Sequence, residues 1–143
     1  MEPLSLSQAA HIVDAAPATG RRQNLHPLTV AVLDQGGALV ACQREDGSGL
    51  LQPQIAQAKA WGVLGMGLGG RTLAARAEAA PAFFDALSSI SGGRIAPVPG
   101  GVLIRDSAGR VLGAVGISGN TSDNDETCAV AAVESVGLSA DPG

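Results

Sequence analysis

Apolar residues recur along the chain with two periods, and each change of period marks a new element. Ala9, Ile12, Val13 and Ala16 fall at helical spacing. They follow Ser5 and Gln8, the pair of residue types that forms a capping box. This predicts an opening helix, ended or kinked by Pro17 and Gly20, with residues 17–27 as a connector. The period then shortens. Thr29-Val30-Ala31-Val32-Leu33, Asp34-Gln35-Gly36-Gly37 and Ala38 to Ala41 read as strand, turn and strand. The same pattern returns as Val102 to Arg105, Asp106-Ser107-Ala108-Gly109 and Val111 to Ile117. Asp opens both turns, where its carboxylate can accept hydrogen bonds from nearby backbone N–H groups. Strict alternation places Val111, Gly113, Val115 and Ile117 on one face of the last strand.

Between the hairpins, Pro53 can open a helix, and Ile55, Ala56, Lys59, Ala60 and Val63 line one of its faces. Gly62, Gly65 and Gly67 are expected to dissolve it. Arg71 to Ala79 reads as a short helix, and Pro81 starts another through Leu87. Ser122 to Glu126 is an acidic helix start, suited to the positive end of the helix dipole. Ala129, Val130, Val133 and Val136 form the buried stripe of that helix, with Gly137 just past its end. The pattern predicts an α+β fold, an antiparallel β-sheet flanked by helices, in outline α-β-β-α-α-β-β-α. Residues 1–143 are expected to form a single domain.

Composition sharpens this in a few places. A chain of 143 residues can bury about 70% of its unfolded surface. With one Trp, two Phe and no Tyr, its core must be built from Ala, Val, Leu and Ile. Net charge is −4 and the longest basic run is Arg21-Arg22, which argues against a nucleic-acid partner. Cys42 and Cys128 match no metal or redox spacing, so no metal site is expected; they read as free thiols or, second, as a disulfide. The opening MEPLSLSQAAHIVDAA has no basic leader, and no apolar run is long enough to span a membrane. A cytoplasmic protein is the expectation.

GMGLGGRT, residues 65–72, satisfies two phosphate-binding patterns. Gly65, Gly67 and Gly70 fit G-x-G-x-x-G, and Gly65, Gly70, Arg71 and Thr72 fit a P-loop with arginine in place of lysine. Both motifs require a preceding strand, whereas QIAQAKAWGVL is helical by period. The segment is therefore read as a connector where one helix ends and the next begins.

Taken together, five segments resemble the GlcG/HbpS-like family, also called the haem-degrading domain family. They are VAVLDQGGALVACQREDG (30–47), IAQAKAWG (55–62), Arg71-Thr72, PVPGGVLI (97–104) and VLGAVGISGNTSDNDE (111–126). The likeness runs from about Leu4 to about Glu134. It implies a profilin-like or PAS-like layer, a homo-oligomer, and a small-molecule ligand with haem or another tetrapyrrole as the family's choice. The chain departs from the pattern at Trp61, where a small residue is usual, and in lacking the second proline of PGG-x-P.

The resemblance singles out Lys59, the only lysine in the chain. It can hold an anionic ligand, or it can be structural, snorkelling or pairing with Asp34 or Asp46. Asp46 with Gly47 is a candidate binding or general-base residue, with turn capping as the alternative. Gly100 and Gly101 can let backbone N–H groups approach a ligand, or simply turn into a strand. Ser118 and Gly119 can receive an anion ahead of the acidic helix, although Asp123 and Asp125 oppose one there. Asp125 itself is read as a helix-start residue.

Haem would call for an axial His, Cys, Met or Tyr. His11 is expected at the surface, His26 in a connector, and Cys42 and Cys128 as small core residues. Three function classes follow: a tetrapyrrole-binding protein, a cofactor-free enzyme using Lys59 and Asp46 on a small anionic metabolite, or an assembly domain.

Overall fold

The computed structural model describes residues 2–143. The helices are α1 (Leu6–Arg22), α2 (Gln52–Met66), α3 (Gly70–Ala79), α4 (Pro81–Ile90) and α5 (Ser122–Ser135). The strands are β1 (Thr29–Asp34), β2 (Leu39–Arg44), β3 (Gly101–Arg105), β4 (Val111–Ser118) and β5 (Ser139–Asp141). They make one antiparallel five-stranded sheet in the order β2-β1-β4-β3-β5, so the α+β architecture is as the pattern predicts. The helices read at Arg71 to Ala79 and from Pro81 both form, as α3 and α4, so the chain has one helix more than the outline order, and β5 adds a strand that pairs with β3 at the sheet edge.

The sheet carries a helical layer on each face. Val30, Val32, Val102, Ile104, Val115 and Ile117 pack with the inner faces of α1 and α5. Leu33, Leu103 and Ala114 pack on the opposite side with Ala60 and Val63 of α2, Leu73 of α3 and Phe84 of α4. Alternation along each strand thus feeds two cores. One break in that alternation is informative. Ile104 pairs with Gly113 and Arg105 with Val111, so Leu112 is an extra residue in β4. This bulge moves Leu112 into the α1/α5 core and turns Val111 to the α2 side, against the expectation that Val111 shares a face with Val115.

Helix α1 begins at the predicted capping box: the Ser5 hydroxyl accepts from the Gln8 N–H, and the Gln8 side chain accepts from the Ser5 N–H. It does not end at Pro17. It runs to Arg22, because Ala16, Pro17, Thr19 and Gly20 are all buried and their packing outweighs one missing N–H donor. Gly20 matters here, since a Cβ would lie 2.9 Å from Leu28 Cδ1. The reversal comes instead at Asn24, with φ of 55°.

Both hairpin turns close as the sequence predicts. Asp34 Oδ1 accepts from Gly36 N and Ala38 N, and Asp106 Oδ1 accepts from Ala108 N and Arg110 N, at 2.9 and 3.0 Å in each case.

Helix α2 continues through Gly62 and Gly65 and ends only at Gly67, whose φ is 69°. Gly62 lets Ile95 approach the helix, and Gly116 lets α2 lie directly on β4, where a Cβ would overlap the Ala56 carbonyl. In GMGLGGRT the connector reading fits what precedes and follows it. A helix comes before it, and the Arg71 N–H at the start of α3 donates to the Pro142 carbonyl of the same chain at 3.0 Å.

Candidate functional site

Two cationic side chains define two very different places. Lys59 lies on the sheet-facing side of α2 and is 3% exposed. Its ammonium donates to the Ile117 carbonyl at 2.9 Å and to Asp125 Oδ2 at 3.1 Å. Asp125 is fully buried on α5, across the sheet from α2, so the ion pair ties the two helical layers together past the end of β4. The other Asp125 oxygen accepts from Asn120 N at 3.2 Å. Burial pushes the Asp125 carboxyl above its ordinary range, and the charge and hydrogen bond of Lys59 oppose that rise. Gly100, with φ of 112°, makes room for the pair: a Cβ there would stand 2.9 Å from the ammonium.

The expected residues therefore separate. Gly100 and Gly101 abut Lys59, Gly101 against its backbone carbonyl. Ser118, at the same end of the sheet, hydrogen-bonds the Gln52 side chain. Gly119 packs on Pro27. Asp46 does not join them. It is exposed and lines an open cleft with Arg21, Arg44 and Glu45. Asp34 is occupied within its own turn and Lys59 pairs with Asp125, not with either of the aspartates expected from sequence. The N–H group beyond Ser118-Gly119 that could have met an external anion, that of Asn120, is met by Asp125. The signal for this was the spacing of Asp125, Cys128, Ala129 and Ala132, which places the aspartate on the buried stripe. The helix cap is Thr121, whose hydroxyl accepts from Asn124 N.

The second place is a cavity of about 410 Å³ between α2, the β1–β2 hairpin and the loop after α4. Leu33, Leu39 and Ala58 give it apolar walls, and Gln54 and Gln57 reach it from α2. Trp61 stands in it beside Gly37, where a Cβ would lie 3.1 Å from the indole nitrogen. Arg94 covers the indole, with its guanidinium carbon 4.1 Å from the ring centroid. Its Nε donates to the Ser91 carbonyl at 2.7 Å, which fixes the guanidinium plane. Among the described residues no carboxylate pairs with Arg94. Trp61 stood out in the sequence as a departure, while Arg94 gave no signal beyond following Gly92-Gly93.

A family model described as "Haem degrading protein HbpS-like" matches residues 4–134. The chain belongs to this family. HbpS-like proteins of known structure share the fold closely. A crystal structure of an HbpS double mutant from Streptomyces reticuli is 26% identical, with a TM-score of 0.81, and the match covers 94% of this chain and 88% of that one. The crystal structure of a PduOC:heme complex superposes with a TM-score of 0.86 at 23% identity, over 96% of this chain and 97% of that one. Protein ORFY of Klebsiella pneumoniae gives 0.84 at 24% identity, over 96% and 92%. At those last two identities the likeness establishes the fold alone. No curated protein sequence matches the chain. Among the described residues no helix is long and apolar enough to cross a membrane.

The residues fit haem only in part. The cavity offers apolar walls, an indole and a guanidinium, which suit a porphyrin ring and its carboxylates. None of its lining residues is a His, Cys, Met or Tyr, the side chains that ligate haem iron.

Proposed function

We propose that this HbpS-like protein binds a small planar molecule carrying carboxylates, with a tetrapyrrole as the leading ligand, in the cavity of Trp61 and Arg94. The observation that carries this reading is the Arg94 guanidinium, stacked on Trp61 and held by Ser91 at the edge of an apolar cavity, with no ion-pair partner among the described residues. Such a group can take a carboxylate through two parallel N–H···O bonds while the ring rests against Leu33, Leu39 and Ala58. Family membership supports a tetrapyrrole over other planar acids. In this reading Lys59, Gly100, Gly101 and Ser118 serve binding indirectly, by seating α2 on the sheet and so placing Trp61.

The enzymatic alternative gives Lys59 an anion to bind and Asp46 a proton to move. It requires both side chains at one cavity, and their placement favours binding instead. Assembly is compatible with binding: Leu50, Leu51, Phe83 and Ile90 are large apolar side chains left exposed, as a homo-oligomer would use them. Two free thiols suit a reducing compartment such as the cytoplasm.

Haemin titration of the purified protein, followed at the Soret band, tests the reading. Saturable binding is expected, weakened roughly tenfold by Arg94→Ala, the equivalent of about 1.4 kcal/mol. A linear, unsaturable response would discard it.

A further inference from the structure

We infer that this cavity recognises a tetrapyrrole by its ring and carboxylates alone, with no bond from the protein to a central metal, so that it takes metal-free porphyrins as readily as haem. The inference rests on the binding reading above and adds to it what the site selects.

The donor set points this way. The cavity is lined by Leu, Ala, Gly, Gln, Trp and Arg side chains. Glutamine amides and an arginine that stays protonated are not haem-iron ligands, whereas imidazole, thiolate, thioether and phenolate are. The chain has no tyrosine at all. Its described ligand-type side chains lie outside the lining. His11 sits on the exposed side of α1, the helix packed on the other face of the sheet, and its Nδ1 is 2.7 Å from the Ser7 carbonyl. His26 lies in the connector after α1, Cys128 is buried in the α1/α5 core, Cys42 is exposed on β2, and Met66 ends α2 packed against the core on the α2 side of the sheet.

The site is nevertheless built to hold something. Among the described residues the Arg94 guanidinium donates only through Nε, and neither terminal nitrogen has a hydrogen-bond partner. The stack on Trp61 and the bond to Ser91 hold those nitrogens in a fixed plane, which lowers the ordering cost of meeting a carboxylate. Gln54, exposed at the same cavity, has no intramolecular side-chain hydrogen bond among the described residues and adds a neutral donor and acceptor. Every one of these contacts is available to a porphyrin with or without iron. Affinity built from them is therefore indifferent to the metal.

The test compares haemin with metal-free protoporphyrin IX on the unsubstituted protein and on His11→Ala, His26→Ala and Arg94→Ala. Haemin is followed by absorption and protoporphyrin by its own fluorescence. The two dissociation constants are expected to agree within about threefold, with Arg94→Ala weakening both by roughly tenfold. The spectrum of bound haemin is expected to be unchanged by either histidine substitution. Haemin binding about thirtyfold or more tighter than protoporphyrin, or a bound-haemin spectrum altered by either histidine substitution, would overturn the inference and leave the binding reading standing. Binding of neither porphyrin would overturn both.

Discussion

Lys59 and Trp61 stand two positions apart on α2 and face opposite environments, as a helix rotating 100° per residue demands. Lys59 turns inward to a carboxylate and a carbonyl; Trp61 turns outward and carries a second cation, Arg94, on its face. One positive charge is thus paired inside the protein, and the other has no ion-pair partner among the described residues and stands at the cavity. The difference teaches that a solitary basic residue on an apolar stripe is poor evidence for a ligand. Burial forces such a residue to find a partner within the chain. A cation that remains free must be sought where water reaches it.

The contrast breaks most visibly at the buried pair. Lys59→Met leaves Asp125 without its counter-charge and should cost about 3–5 kcal/mol in urea unfolding. The double variant Lys59→Met/Asp125→Leu should recover most of that loss, since an apolar pair of similar volume removes both charges. A Lys59→Met protein of unchanged stability that no longer bound ligand would reverse the roles assigned to the two cations. Arg94→Ala is the opposite case. It should lose roughly tenfold in porphyrin affinity while unfolding within about 0.5 kcal/mol of the parent.

A smaller effect concerns pH. The folded Asp125 carboxyl lies above its ordinary value of 3.8, first because of burial. The native state therefore holds this proton at pH values where the unfolded chain has released it. The contribution of Asp125 is full below the unfolded value and declines as pH rises through the folded one. Asp106 acts with the opposite sign: its carboxyl is lowered chiefly by its backbone hydrogen bond from Arg110, so its contribution is lost as pH falls. Stability measured from pH 3 upward should lose the Asp125 limb in the double variant and keep the Asp106 limb.

The slightest effect separates the thiols. Cys42 is exposed on β2, whereas the Cys128 thiol is pushed up to about 11, mainly by burial. A thiol reagent at neutral pH should modify Cys42 and reach Cys128 only after unfolding.

How much of this was legible beforehand follows from the range of the interactions involved. The capping box at Ser5 and the turns opened by Asp34 and Asp106 depend on neighbours three or four positions away, and they form as the sequence predicts. The same holds for the helix opened by Pro53. The misreadings were of another kind. Pro17 breaks a helix by local rules, yet contacts of the buried turn around it carry α1 onward. The Leu112 bulge is set by pairing with β3, which alternation within β4 cannot report. Asp125 does stand in the first turn of its helix, as its acidic neighbours suggest, but its partner Lys59 lies 66 positions away, beyond the reach of local pattern. Arg94 becomes notable only through Trp61 and an apolar cavity assembled from three separate segments.

The matching aspartate turns carry a consequence for folding kinetics. Each hairpin is closed by contacts within its own few residues, and such units form in about 1–10 μs in isolation. The step that joins them is the central β1–β4 pairing, where Thr29 meets Ser118 and most of the chain lies in between. Loop-closure entropy makes that late, long-range step the expected barrier. Replacing Asp34 or Asp106, whose turns are already closed when that barrier is reached, should therefore slow refolding and leave the unfolding rate nearly unchanged.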